Sequence, residues 1–539
     1  MARPYPLDED PSLNRSRFGH TPALWLLLPL LLGGAIDTAY RPSMGVLLGG
    51  ASAGALGFWF FYKKEIAGLF FILVAGTLLG AAWHQAALFP QTKIEPTRNY
   101  VELSIIINRA TPQRDETEWS GVGMVTDKGS FFRRRIALSG KGLTPIGSGE
   151  YKIGGWLNTI PDQPTGFDAW AASQGCTLKL SGAKILGTLE TPSGFATWCQ
   201  RTQKKLEAWL RTLPWDDSNG GSLLAATLLG RTALLPIEAK VNFAATGTLH
   251  LFAISGLHIA GMAAALLWLT KKLHLPEKPL GVLILILLWL YVQVTGASPS
   301  SLRAWIMAVF IWAGQVSERR TPILQSLALA GAVTLLFQPE ACNDPGFQLS
   351  YLAVLGIICA GAPAAEILSA PSLKQQLTPK RSLTWVARWH GKIKRILISG
   401  LCISAAATIA GTPLTLIYFQ SASWAGVVAN LILVPLSEVP LILGMASLSL
   451  CVWDGFLPVA QWINGLAALT LDAMAALVKL FTFVPHLVFQ ANPQSDRSGD
   501  YCVALLVGCF LFNADSKSII KLLGIPALIV VGWILLFVI

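Results

Sequence analysis

Apolar residues along this chain come in blocks, and polar residues interrupt the blocks at a few places. Continuous apolar runs cover Ala23 to Ile36, Met44 to Tyr62 and Ile66 to Phe89. Each is long enough to cross, or nearly cross, a hydrocarbon core of ~30 Å. A second block starts at Ser222 and holds broken or interrupted spans near Leu249 to Thr270, Pro279 to Thr295, Leu302 to Val316, Ile323 to Phe337 and Phe347 to Leu368. It continues through Ile396 to Phe419, Ala425 to Val452, Pro458 to Val484, Cys502 to Phe512 and Ile519 to Ile539. A helix satisfies its own backbone inside lipid, so both blocks predict a polytopic α-helical membrane protein.

From Gln91 to about Gly220 the pattern changes to short alternating runs: "YVELSIIIN", "FFRRRIALSG", "GEYKIGGWL" and "TLKLSGAKIL", separated by Gly, Pro, Asp and Ser clusters. Alternation of this kind predicts half-buried strands and an inserted external all-β domain, with an OB-like barrel as the first choice. Such barrels bind single strands through basic grooves with stacking aromatics, and Phe131, Phe132, Arg133, Arg134, Arg135 and Trp156 offer both chemistries. The competing reading makes Phe131 and Phe132 partly core and the arginines a solvated, aggregation-resistant edge. The following "TWCQRTQKKLEAWLRTL" sets Trp198, Leu206, Trp209 and Leu210 on one helical face amid Arg201, Lys204, Lys205 and Arg211. That predicts a basic amphipathic helix lying on the outer leaflet. Cys176 and Cys199 both fall in this external stretch, where an oxidising compartment permits a disulfide between them.

Composition agrees with a membrane protein: 53% of residues are hydrophobic and 13% charged, with a mean hydropathy of +0.53. The net charge of +11 suits either positive-inside topology or a polyanionic partner. Position favours topology. Arg15, Arg17, Lys63 and Lys64 flank alternate ends of the first spans and put the N-terminus inside, as an uncleaved anchor. The loops "KKLHLPEK" and "SERR", and the stretch holding Lys374, Lys380, Arg381, Arg388, Lys392, Lys394 and Arg395, then fall on the cytoplasmic side.

Polar residues inside the apolar runs carry the candidate chemistry. In "TGTLHLFAISGLHI" these are His250, Ser255 and His258, with Gly247, Gly256 and, just beyond, Gly261; "GASPSSLRAW" contributes Arg303. "NDPGFQLSYLAV" adds Asn343, Asp344, Gln348 and Ser350, and "VVANLILVPLSEVP" adds Asn430 and Glu438 between prolines. Polar groups are costly against lipid, so each set faces a cavity, a channel or another helix. Any single residue is read as locking helices together; the four sets together are read as a polar path. No nucleotide-cradling G-x-x-x-x-G-K-[ST] and no H-E-x-x-H pattern occurs, and "AISGL" departs from a nucleophile elbow in its first glycine. No cofactor, metal or catalytic residue is expected. The rivals are a membrane-embedded metal enzyme using His250, His258 and Asp344, and a receptor whose β-domain binds another ligand.

In this order the four segments resemble the signature segments of the ComEC-type competence family. Thr246 to Ile259, Ser298 to Ala304, Asp344 to Val354 and Asn430 to Pro435 carry the resemblance, and "GFDAWAASQGC" is similar to the family's OB-like loop. The resemblance implies a bacterial inner-membrane channel passing single-stranded DNA in natural transformation. Its implied partners are single-stranded DNA, an external DNA receptor, a cytoplasmic translocating ATPase and single-strand-binding proteins. The residue pattern divides the chain into transmembrane helices at 1–90, the external β-domain at 91–194, the interfacial helix at 195–220 and a helical domain at 221–539, which the resemblance makes the channel domain. His250, Ser255, Gly256, His258, Arg303, Asp344, Gln348, Ser350 and Asn430 would line the path. Many members continue into a metallo-β-lactamase-like domain; this sequence stops at Ile539 in a hydrophobic run, and a form without that domain is expected.

Overall fold

The structure, a computed structural model, describes residues 21, 23–40, 43–61, 65–88, 99–112, 118–127, 131–132, 134–142, 145, 149–161, 166–190, 194–215, 218–274, 276–318, 322–370, 385–451, 453–482, 488–490 and 496–537. Arg133 and the charged positions Arg15, Arg17, Lys63, Lys64, Arg319, Arg320, Lys374, Lys380 and Arg381 lie outside the described residues, as does the side chain of Arg388.

Three apolar helices come first: α1 (Leu24–Tyr40), α2 (Met44–Phe61) and α3 (Glu65–Leu88). The inserted domain follows, with β1 (Asn99–Pro112), β2 (Glu118–Val125), β3 (Arg135–Lys141), β4 (Glu150–Thr159), α4 (Gly166–Ser173) and β5 (Leu178–Glu190). Its strands close in the order β1-β2-β3-β5-β4, with β3 and β5 parallel and the other pairs antiparallel. Closure leaves no sheet edge to be blocked by charge. On β1, Leu103, Ile105 and Ile107 point inward at every second position, as a two-residue period requires, and meet Trp119, Ile136, Leu138, Ile153 and Leu180 in the core. The α4 segment lies in the β4 to β5 crossover and packs Phe167, Trp170 and Ala171 against Val122, Ala137 and Cys176.

The rest is helical apart from a two-stranded antiparallel sheet of Ser421–Ser423 and Val488–Gln490. It runs through α5 (Gly194–Leu210), α6 (Ser218–Leu229), α7 (Ile237–Ala245), α8 (Gly256–Lys272), α9 (Glu277–Val294), α10 (Pro299–Val316) and α11 (Ile323–Phe337). Then come α12 (Pro345–Gly356) and α13 (Ala362–Ser369), joined through a π turn, and α14 (Trp385–Phe419), α15 (Ala425–Leu450), α16 (Leu457–Thr482), α17 (Asp496–Asn513) and α18 (Ile525–Phe537). Among the described residues five stretches are long and apolar enough to cross a membrane: Pro345–Ser369, Trp389–Phe419, Ala425–Leu450, Asp454–Thr482 and Ile520–Phe537. Large apolar side chains such as Leu283, Ile286 and Leu287 on α9, and Leu528, Leu535 and Leu536 on α18, stand exposed. That is the surface a hydrocarbon solvent requires, so the chain is a multi-pass helical membrane protein with an inserted β-barrel.

The interruption expected within Leu249 to Thr270 falls at its start: Leu249–Phe252 is a 3-10 turn, and the span proper starts at Gly256. The amphipathic helix α5 is docked on the helical domain. Leu210 is fully buried, Trp209 donates from Nε1 to Ser447 Oγ at 3.2 Å, and Phe195 stacks on Trp289 with ring centres 5.3 Å apart. Arg201, Lys204, Lys205 and Arg211 remain exposed.

Candidate functional site: a polar seam where four segments meet

The α10 and α12 helices begin with the same device. Ser298 and Asp344 stand at their N-caps, each followed by proline at the first helical position. Ser298 Oγ accepts from the Ser301 amide at 3.3 Å, and Asp344 Oδ1 accepts from the Gly346 and Phe347 amides at 2.8 and 3.1 Å. The two starts lie side by side, since a Cβ on Gly346 would stand 4.0 Å from Pro299 Cγ. Ser300 and Ser350 are hydrogen-bonded at 3.1 Å, and Arg303 donates from Nη1 to Ser350 Oγ.

The start of α8 joins them. Ser298 Oγ donates to the Ile254 carbonyl at 3.3 Å, and Arg303 Nη2 lies 3.1 Å from where a Cβ on Gly256 would be. Glycine at this position gives the guanidinium room at the helix start. Gly261 does the same for an acid: a Cβ there would fall 2.5 Å from Glu438 Oε2 of α15. The fourth segment closes on the first, because a Cβ on Gly426 would lie 3.4 Å from the Thr246 carbonyl and 3.8 Å from Asn430 Nδ2. Asn430 Nδ2 donates to Ser404 Oγ at 3.4 Å, while its Oδ1 is buried without a partner. Four segments spread from Thr246 to Pro435 in sequence thus meet in space.

Individual residues divide by role. His258 is buried; its Nδ1 accepts the Ser255 amide at 3.2 Å, which puts the proton of a neutral ring on Nε2 and makes the residue part of the α8 cap. His250 is exposed, and its Nδ1 donates to the Gly247 carbonyl at 3.1 Å. Gln348 is engaged at both ends, donating to the Cys342 carbonyl at 2.7 Å and accepting from Tyr418 Oη at 2.8 Å. Among the described residues no group of three His, Cys, Asp or Glu is placed to hold a metal ion. The rival metal centre of His250, His258 and Asp344 therefore has no geometric support.

The barrel touches this seam. Arg135 Nη2 pairs with Glu340 Oε1 at 3.0 Å, its Nη1 donates to the Gln174 carbonyl at 3.3 Å, and Gln174 Nε2 donates to Asp344 Oδ2 at 3.0 Å. Both side chains of the ion pair are less than one-fifth exposed. Arg135 is thereby a docking residue, whereas Phe132 and Trp156 stand about half exposed on the barrel surface. Trp156 meets its cross-strand partner Tyr100 edge to face, with ring centres 5.7 Å apart. Arg134 keeps an interaction of its own. The expected bridge between Cys176 and Cys199 is absent, and both thiols are free. Burial beneath α4 pushes the Cys176 thiol up to about 12, and burial raises Cys199 as well. Each has its own packing site, Cys176 under Ala171 and Cys199 on α5.

Sequence reading missed the partners across the seam. Glu340 and Gln174 have no local signature. Asp37 and His84 did leave a signal, as isolated ionisable residues in the first apolar runs. They form a buried pair, His84 Nδ1 to Asp37 Oδ2 at 2.7 Å, and Asn343 reaches Thr38 Oγ1 at 3.2 Å. The N-terminal helices and the barrel therefore grip the same turn, Pro339–Asn343, together with the adjoining Asp344.

The family model described as "Competence protein" matches residues 227–515, which include most of the helical domain and all four segments. Among curated proteins, ComE operon protein 3 of Bacillus subtilis (strain 168) is 26% identical over 352 residues, covering 61% of this chain and 42% of that protein. Competence protein ComA of Neisseria gonorrhoeae is 29% identical over 222 residues, 36% of this chain and 29% of its own. Uncharacterized protein YcaI of Escherichia coli (strain K12) is 27% identical over 249 residues, 44% and 30% respectively. The matched part thus spans less than half the length of each relative. No solved structure matches the chain.

Proposed function

The chain belongs to the competence protein family, and on that premise we propose that it carries a single strand of DNA across the bacterial cytoplasmic membrane during natural transformation. The observation that carries this reading is a polar seam within otherwise apolar helices: three of the polar segments meet at Arg303, and the fourth joins the first where Gly426 and Asn430 approach Thr246. A chain of phosphates needs a water-bearing, cation-lined route through hydrocarbon, and the seam supplies polar side chains and a cation among apolar helices. The barrel lies outside and receives the strand through an OB-like surface. Its stacking groups are Tyr100, Trp156 and Phe132, each base stacked contributing about 1 to 3 kcal/mol. The exposed basic face of α5 rests at the outer leaflet. An external receptor delivers the strand, a cytoplasmic ATPase draws it inward, and single-strand-binding proteins collect it.

The test is a deletion strain in which labelled DNA is scored separately in the periplasm and the cytoplasm. The proposal predicts that periplasmic entry persists and cytoplasmic entry is lost. Loss of both, or of neither, contradicts it.

A further inference from the structure

We infer that Arg303 and the first turn of α8 form a binding site for one phosphodiester group. This rests on the reading of the helical domain as the path of the strand and specifies the chemistry at one point on it. Arg303 is 4% exposed in a helix surrounded by apolar neighbours. A buried guanidinium is costly unless something negative meets it. Among the described residues no carboxylate lies within ion-pairing distance of it; its partners are the neutral Ser350 hydroxyl and the face of the Tyr351 ring, 5.4 Å away. Its Nε is buried with no hydrogen-bond partner.

The surroundings add positive potential. Nη2 lies against Gly256 at the start of α8, and the start of α10 stands beside it through Ser298; the neighbouring start of α12 is already met by the Asp344 carboxylate. A helix start without a carboxylate at its cap carries roughly half a positive charge. The nearby acid, Asp344, is already committed to the α12 amides and to Gln174. What this site lacks is an acceptor with a negative charge. A phosphodiester carries one charge and two free oxygens, enough to meet one cation and one helix start. Two sources share that chemistry: the backbone of a strand and the headgroup of an anionic lipid. The burial of Arg303 within the seam, rather than on the exposed apolar face of a helix, assigns the strand.

The test uses the full chain in nanodiscs of phosphatidylcholine, with and without phosphatidylglycerol. The probe is a fluorescent ten-unit deoxyribose phosphate oligomer without bases, so that stacking on the barrel contributes nothing. Arg303→Gln is expected to weaken binding about tenfold and to flatten the slope of log affinity against log salt by about 0.7, the share of one single-strand phosphate contact. Arg303→Lys keeps the charge and should keep the slope. Gly256→Ala places a methyl against Nη2 without removing the cation, so it covers the case in which Arg303→Gln fails to fold, and it should weaken binding as well. Unchanged affinity and slope in folded Arg303→Gln or Gly256→Ala would overturn the site while leaving the conduit standing. A wild type that binds no oligomer in either lipid would overturn the conduit too. An effect of Arg303→Gln seen only as lost stabilisation by phosphatidylglycerol would overturn the strand assignment in favour of lipid.

Discussion

Arg135 on the barrel and Arg303 in the helical domain are both largely buried, and they differ in what faces them. Arg135 meets Glu340 and the Gln174 carbonyl, so its charge is used within the molecule to hold two domains together. Arg303 meets a serine hydroxyl and a ring, so its charge stays available to a ligand. The arginine-rich run of the barrel is the more conspicuous feature of the sequence, yet among the described residues no carboxylate pairs with the lone arginine set among prolines and serines. The difference teaches that availability of charge depends on the opposite wall of the site.

The barrel side of the comparison requires a closed, dry body, and Cys176 reports on that. With its thiol pushed up to about 12 by burial, the thiolate fraction at pH 8 is roughly a thousandfold below that of an ordinary cysteine. Alkylation of Cys176 in the folded chain should be slower by at least about that factor than after denaturation, with no reductant needed. The raised value also means that the folded state holds this proton more tightly. The stabilisation is fully present below pH 9 and is lost as pH climbs toward 12. Rapid native labelling would show an open barrel; a thiol released only by reductant would restore the bridge to Cys199.

The docking itself comes next in size. Glu340→Arg sets two cations against each other in a partly buried contact, and we expect a loss of about 2 to 3 kcal/mol, or roughly 30- to 150-fold in protection. Hydrogen exchange along β3 and the first turn of α12 measures it, and Arg135→Glu combined with Glu340→Arg should recover much of the loss. Failure of the double variant to recover would mean that the pair is incidental. Asp344→Ala is expected to cost less, about 1 to 2 kcal/mol, through the lost cap and the lost Gln174 bond. The Gly346 and Phe347 amides should then exchange roughly 5- to 30-fold faster. Unchanged exchange would remove Asp344 from the cap.

The architecture was legible because lipid and sheet impose strong local periods. Leu103, Ile105 and Ile107 announce a strand by alternation, and the apolar runs of α15 and α16 announce spans by length. The interruption near Leu249 was legible from Gly247, His250 and Ser255 inside the apolar run, but its place and form, a 3-10 turn following Gly247 at positive φ, depend on the local geometry of Thr246 and Thr248. The four polar sets were legible as outliers against lipid, but their meeting depends on packing among α8, α10, α12 and α15. The Arg135 to Glu340 pair joins positions 205 residues apart, a separation on which no local pattern reports. The disulfide expectation failed for a related reason: a shared compartment permits a bridge, but burial in separate packing sites decides.

The central claim is that the strand passes through the seam and not along the outside of the helices. It is tested most directly by placing a photoactivatable amino acid at Ser350 in one strain and at Ile286, on the exposed apolar face of α9, in another. Each strain is irradiated during uptake of labelled DNA, and cytoplasm-bound single strand attached to the protein is counted. The account predicts attachment from position 350 and background from position 286, with the first signal lost when Arg303→Gln is added. Equal attachment at both positions, or attachment from 286 alone, would contradict it.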